Sequence, residues 1–79
     1  MTKEEIFESL KEIFSTVMPG KDLSDVTDGS DLFTGLGMDS LTLLLSSLAI
    51  ENKFGVRITS DAKLQTVGNV IDYIAERLA

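Results

Sequence analysis

A chain of 79 residues with neither cysteine nor histidine has to hold itself together by packing alone. Disulfides, thiolates and imidazole ligands, the usual staples of small scaffolds, are closed to it. One domain over residues 1–79 is expected, because domains seldom run shorter than about 50 residues. Such a domain buries only roughly 60% of the surface its unfolded chain exposes, so the core is thin. The same two absences restrict the chemistry. Triads of the Ser-His-Asp and Cys-His types are excluded. No side chain has an unperturbed pKa near neutrality. A hydrolase built on two carboxylates, such as Asp31 and Asp39, stays formally open, but a chain this short has little room for a substrate cleft. A non-catalytic role is therefore expected.

Lys plus Arg number 7 and Asp plus Glu number 13, a net charge of −6. That is the wrong sign for a phosphate backbone, so nucleic acid is not an expected partner. An acidic surface suits basic protein partners. No apolar run approaches the ~20 residues of a membrane span. Met1-Thr2-Lys3-Glu4-Glu5 lacks the basic start and apolar stretch of a secretory signal. A cytoplasmic address is expected.

The first periodic segment runs from Thr2 to about Val17. Thr2 and Glu5 have the capping-box spacing, and Ile6, Leu10, Ile13, Phe14 and Val17 share one helical face. Pro19-Gly20 stops it. Residues 18–38 form a long connection, rich in Gly, Asp, Ser and Thr, with apolar anchors at Leu23, Val26, Leu32, Phe33 and Leu36. Loops of this length in small domains are often functional, and the anchors predict that it packs over the bundle. Asp39 or Ser40 caps the next helix, which reaches about Lys53 and stops at Gly55. Residues 56–65 read as a linker with at most a short helical turn starting near Ser60. Thr66 caps a last helix carrying Val67, Val70, Ile71, Ile74 and Leu78 at helical spacing. Val56-Arg57-Ile58-Thr59 is β-like, but four residues cannot make a sheet alone.

The second helix has two apolar faces. On a wheel of about 100° per residue, Leu41, Leu44, Leu45 and Leu48 fall on one side, and Leu43, Ile50 and Phe54 nearly opposite with Ser46 and Ser47. A small-bundle helix ordinarily shows one apolar stripe. Either this helix is buried on both sides, or one stripe fills the core and the other meets a partner. Each leucine left exposed forgoes roughly 1.5–3 kcal/mol of burial, so a group of them reads as an interaction surface.

At the start of this helix stands Gly37-Met38-Asp39-Ser40-Leu41. Taken alone, Asp39-Ser40 before an apolar run is an ordinary cap. The pattern Gly-x-Asp-Ser-Leu also resembles the attachment site of acyl and peptidyl carrier proteins. The likeness extends over nearly the whole chain: Val26-Thr27 and Leu32-Phe33 in the long loop, Phe54 closing the helix, Ile58 after it, and Thr66-Val67 opening the last helix.

The resemblance implies an all-α fold, a small four-helix bundle with a long first loop and a short third helix or turn. It implies a carrier whose 4′-phosphopantetheine arm is attached to Ser40 and holds acyl intermediates of fatty-acid, polyketide or related biosynthesis as thioesters. Asp39 resembles the acidic neighbour that helps recruit the phosphopantetheinyl transferase and its metal. The other implied partners are acyl-transferring, ligating or condensing enzymes, and a monomer is expected. By position, Leu41, Leu44, Leu45, Leu48 and Glu51 face partners, with Thr42 and Asn52. Leu43, Ser46, Ser47, Ile50 and Phe54 face inward towards an acyl pocket, with Phe33 and Ile58 also expected to line it, and Val67 and Ile71 stand at pocket-lining or core positions. Two alternatives stay open: an aminoacyl or peptidyl carrier with the same arm, and an unmodified carrier-like module that binds through its leucines.

The chain departs from the fatty-acid carriers it resembles. Those carry several acidic residues along this helix; here Thr42, Leu45, Asn52 and Lys53 stand in those places and Glu51 alone remains. Ser46 and Ser47 replace apolar residues on the inward side. A specialised carrier is expected, with partners more apolar and a cargo less greasy than a long saturated chain.

Overall fold

Three capping boxes begin three helices. Thr2 accepts from the Glu5 backbone N–H at 3.1 Å while the Glu5 carboxylate accepts from the Thr2 N–H at 2.8 Å. Asp39 and Thr42 form the second box, Thr66 and Asn69 the third. The structure, a computed structural model, describes residues 1–59 and 61–79. The helices are α1 (Lys3–Val17), α2 (Ser40–Phe54) and α3 (Val67–Leu78). Among the described residues β-structure is limited to one isolated bridge, Asp31 to Thr66.

The core is built mainly by the two outer helices. α1 buries Ile6, Leu10, Ile13 and Phe14; α3 buries Val67, Val70, Ile71 and Ile74. Both sets follow the spacing of one helical stripe. α1 packs against both α2 and α3. α2 contributes only Ser46 and Ile50 to the fully buried set. Leu32, Leu36 and Met38 from the long connection and Val56 from the linker supply the rest.

The long connection packs down, and backbone chemistry explains why. The first N–H groups of a helix have no partner within it. Val67 N–H donates to Ser30 O at 3.0 Å and Gly68 N–H to Asp28 O at 2.6 Å, so the connection satisfies the start of α3. Leu32 N–H donates back to Gln65 O at 2.8 Å. Glycine is required at position 68 for this approach: a Cβ there would lie 2.9 Å from Asp28 O.

Four helices are not formed among the described residues. In the linker, where a short third helix or turn was expected, Ala62 N–H donates to Thr59 O at 3.1 Å. Only three residues separate Ala62 from the Thr66 cap, which leaves too little chain for a longer helix. The expected start at Ser60 itself lies outside the described residues. Phe33 also departs from expectation. It is 37% exposed, whereas Leu32 is fully buried. The Asp31 carboxylate accepts from the Phe33 and Thr34 N–H groups, both at 2.8 Å, and this turn sends the phenyl ring outward.

Candidate functional site

Asp39, and not Ser40, caps α2. Its carboxylate accepts from Thr42 N–H at 2.9 Å, and Thr42 Oγ1 accepts from Asp39 N–H at 2.8 Å. The Thr42 N–H first, and then the Thr42 hydroxyl, which donates to the same carboxylate at 3.0 Å, hold the Asp39 carboxyl below the usual aspartate range. Ser40 is therefore the first helical residue, exposed, with its hydroxyl not needed for capping. Gly37 turns the chain into this start with a φ of 74°, a conformation other residues rarely adopt. Between them Met38 is buried and pins the entry to the core. No acidic residue lies in the first turn of α2. The backbone N–H groups there and the positive end of the helix dipole are well placed for an anionic phosphodiester. An exposed serine hydroxyl at such a helix start fits the attachment of a phosphate-linked arm.

Beside Ser40 runs a groove of about 370 Å³. Leu43, Leu44 and Ser47 of α2 form one side; Ile58, Thr59, Ala62 and Leu64 form the other. Ser47 Oγ donates to Leu43 O at 2.9 Å, so its hydroxyl is turned back onto the helix. Leu43, Ser47 and Ile58, three of the residues expected at an acyl pocket, thus meet here. Ile50, Phe54 and Phe33 do not line the groove. Ile50 is in the core at 2% exposure. Phe54 is at the other end of α2, roughly 20 Å along the axis from Ser40 at 1.5 Å per residue. Phe33 is on the outward turn described above. A larger cleft of about 520 Å³ lies elsewhere, between α1, α3 and the long connection, lined by Lys3, Phe7, Val26, Ile71 and Asp72 among others, and shares no residue with this groove.

The outer face of α2 is apolar and open. Leu41, Leu44, Leu45 and Leu48 are 62, 56, 42 and 54% exposed. Glu51 is on the same helix and exposed, with Arg57 Nε 3.9 Å from its carboxylate. The inner face carries a feature that residue type alone does not reveal: Ser46 is 2% exposed and its Oγ has no hydrogen-bond partner among the described residues. Met38 and Val56 are likewise core residues that periodicity misses, because each stands alone in a non-helical segment.

The family model described as "Phosphopantetheine attachment site" matches residues 8–74. The chain is thus a carrier domain of the kind that bears a phosphopantetheine arm. An acyl carrier protein of Thermotoga maritima is 40% identical over 80 residues, covering 98% of this chain and 96% of its own. That of Acidothermus cellulolyticus is 43% identical over 77 residues, covering 95% and 90%. The meromycolate extension acyl carrier protein of Mycolicibacterium smegmatis is 39% identical over 75 residues, covering 92% of this chain and 75% of its own. The chain belongs to the acyl carrier protein family. Its function is that of a non-catalytic carrier, holding acyl intermediates of fatty-acid or related biosynthesis on phosphopantetheine for other enzymes to act on.

Proposed function

We propose that Ser40 is the residue that bears the arm, and that the groove beside it receives the acyl chain. The observation that carries this reading is the position of Ser40: exposed, first in α2, flanked by the capping carboxylate and opening onto an apolar-sided groove. When bound, the arm supplies a thiol on which cargo is carried as a thioester. The chain's own part is to present the hydroxyl, to place helix N–H groups beside the phosphodiester, and to shelter the cargo between Leu43, Leu44, Ile58 and Leu64. Asp39 fixes the helix start and offers a carboxylate to the phosphopantetheinyl transferase. The carrier acts as one domain over residues 1–79 and as a cytoplasmic monomer.

The acyl-transferring, ligating or condensing partners meet Leu41, Leu44, Leu45 and Leu48. Charge supports an apolar contact over an acidic one. Glu51 stands almost alone there and has Arg57 close by, which weakens its pull on a basic partner. Electrostatic docking sets on-rate and specificity, so enzymes that expect an acidic helix engage this one poorly. Ser47 and Thr59 make the groove partly polar, which suits a short, branched or oxygenated cargo better than a long saturated chain.

Intact mass tests the core of the reading. Incubated with coenzyme A and a broad-specificity transferase, the wild type gains one phosphopantetheine group and Ser40→Ala gains none. Equal gain by both proteins places the arm elsewhere.

A further inference from the structure

Tyr73 makes a set of contacts that neither capping nor core packing calls for. Its hydroxyl donates to Arg57 O at 3.1 Å and accepts from Thr59 N–H at 3.2 Å. One hydroxyl thus closes both backbone groups that flank Ile58, across 14 to 16 residues of chain. Thr59 Oγ1 lies 3.4 Å from the same oxygen. The ring is steadied from outside, with the Arg77 guanidinium stacked 3.5 Å from its centroid.

The segment held in this way has no other ladder. Val56-Arg57-Ile58-Thr59 is β-like in sequence yet pairs with no strand among the described residues, and backbone outside a ladder needs other partners for its polar groups. Val56 anchors one end in the core. Beyond it, Ile58 and Thr59 form part of the groove wall opposite α2. α2 and α3 have little direct packing to set the width of that groove. The Tyr73 oxygen ties α3 to the backbone on both sides of Ile58.

We propose that Tyr73 is a positioning residue for the cargo: by holding the backbone on both sides of Ile58, its hydroxyl fixes the wall of the Ser40 groove and sets how well a chain lying there is shielded. The proposal rests on the reading of Ser40 as the attachment residue and of this groove as the place of the acyl chain. Short cargo that does not reach Ile58 is indifferent to Tyr73; longer cargo depends on it.

The test compares thioester lifetimes. Wild type, Tyr73→Phe and Thr66→Ala are each loaded with acetyl- or octanoyl-phosphopantetheine, and cleavage by hydroxylamine to hydroxamate and free thiol is followed by mass. Phe keeps the ring and the Arg77 stack and loses only the oxygen. Thr66→Ala removes a helix cap and loosens α3 to a similar degree without removing any bond to Ile58 or its two neighbours. In the wild type the octanoyl thioester outlasts the acetyl one. Tyr73→Phe speeds octanoyl cleavage about fivefold to tenfold, the equivalent of one or two net hydrogen bonds, and leaves acetyl cleavage unchanged. Thr66→Ala leaves the octanoyl-to-acetyl ratio at its wild-type value. The proposal is overturned if Tyr73→Phe does not move that ratio, if Thr66→Ala moves it equally, or if the wild type shows no difference between the cargos. Loading is read separately. Proteins that load but show no change in ratio defeat the Tyr73 proposal alone; a wild type that does not load at Ser40 defeats both.

Discussion

Two neighbouring serines on α2 have opposite fates. Ser47 returns its hydroxyl to the Leu43 carbonyl, the back-bonding that serine commonly makes in helices. Ser46, one position earlier, is buried with no partner for its hydroxyl among the described residues. A buried hydroxyl without a partner costs roughly 1–3 kcal/mol, and alanine is also the better helix former. Ser46→Ala is therefore expected to raise stability by about 1–2 kcal/mol, read as a higher denaturant midpoint at constant slope. A lower midpoint would show that the hydroxyl has a partner in solution. Ser40→Ala, by contrast, should shift stability by less than about 0.5 kcal/mol, because an exposed first-turn residue that caps nothing is a neutral site. The amino-acid sequence places both Ser46 and Ser47 on the inward side of α2. Which of them is satisfied depends on rotamer and neighbours, and the wheel carries neither.

At the scale of the element, helix boundaries are written in local chemistry. Thr2, Asp39 or Ser40, and Thr66 are all legible as starts, and Gly55 as a stop, because caps act within one turn. The choice between Asp39 and Ser40 needed the geometry of Thr42, whose short side chain completes the box in place of the usual Glu or Gln. Asp39→Ala should cost about 1 kcal/mol, the ordinary value of a lost cap, and fray the first turn of α2; slower loading of Ser40 at unchanged transferase concentration is the accompanying sign. The two apolar faces of α2 are equally visible in the sequence, but not which one packs. Exposure decides it: the four leucines face outward, while Ile50 goes in. If that outward face excludes enzymes that read acidic carriers, Leu45→Glu with Asn52→Glu should improve elongation by a general bacterial fatty-acid synthase without lowering the melting temperature. No improvement would mean that charge on this helix is not what such enzymes lack.

Over the whole molecule, the long connection and α3 are one unit held by backbone bonds and by Asp31. Its carboxylate accepts from Gln65 Nε2 and from the Phe33 and Thr34 N–H groups, and its pKa is lowered, first through the Gln65 bond. Glu5, Asp22, Asp39 and Asp61 are lowered by similar local bonds. A carboxyl depressed in the folded state stabilises above its unfolded pKa, and that contribution is lost as pH falls through the folded value. Stability should therefore hold steady between about pH 5 and 8, where no histidine titrates, and decline as pH drops below the ordinary aspartate value of 3.8. Denaturation midpoints across this range check it, and Asp31→Asn should make the acid limb shallower. These long-range ties were the least legible part of the fold. The apolar anchors Leu23, Val26, Leu32 and Leu36 announce a packed connection, yet the bonds from Val67 and Gly68 to Ser30 and Asp28 join residues about 40 apart in sequence, a pairing no local pattern encodes. The same holds for Tyr73 and the linker it secures.

The cap, the groove and the leucine face all converge on Ser40, so the decisive measurement is where the arm sits. The loaded wild-type protein is fragmented in the mass spectrometer and the phosphopantetheine mass is assigned to a residue. Every modified fragment is expected to contain Ser40. A fragment carrying the arm on any other hydroxyl, such as Thr42 or Ser47, would contradict it.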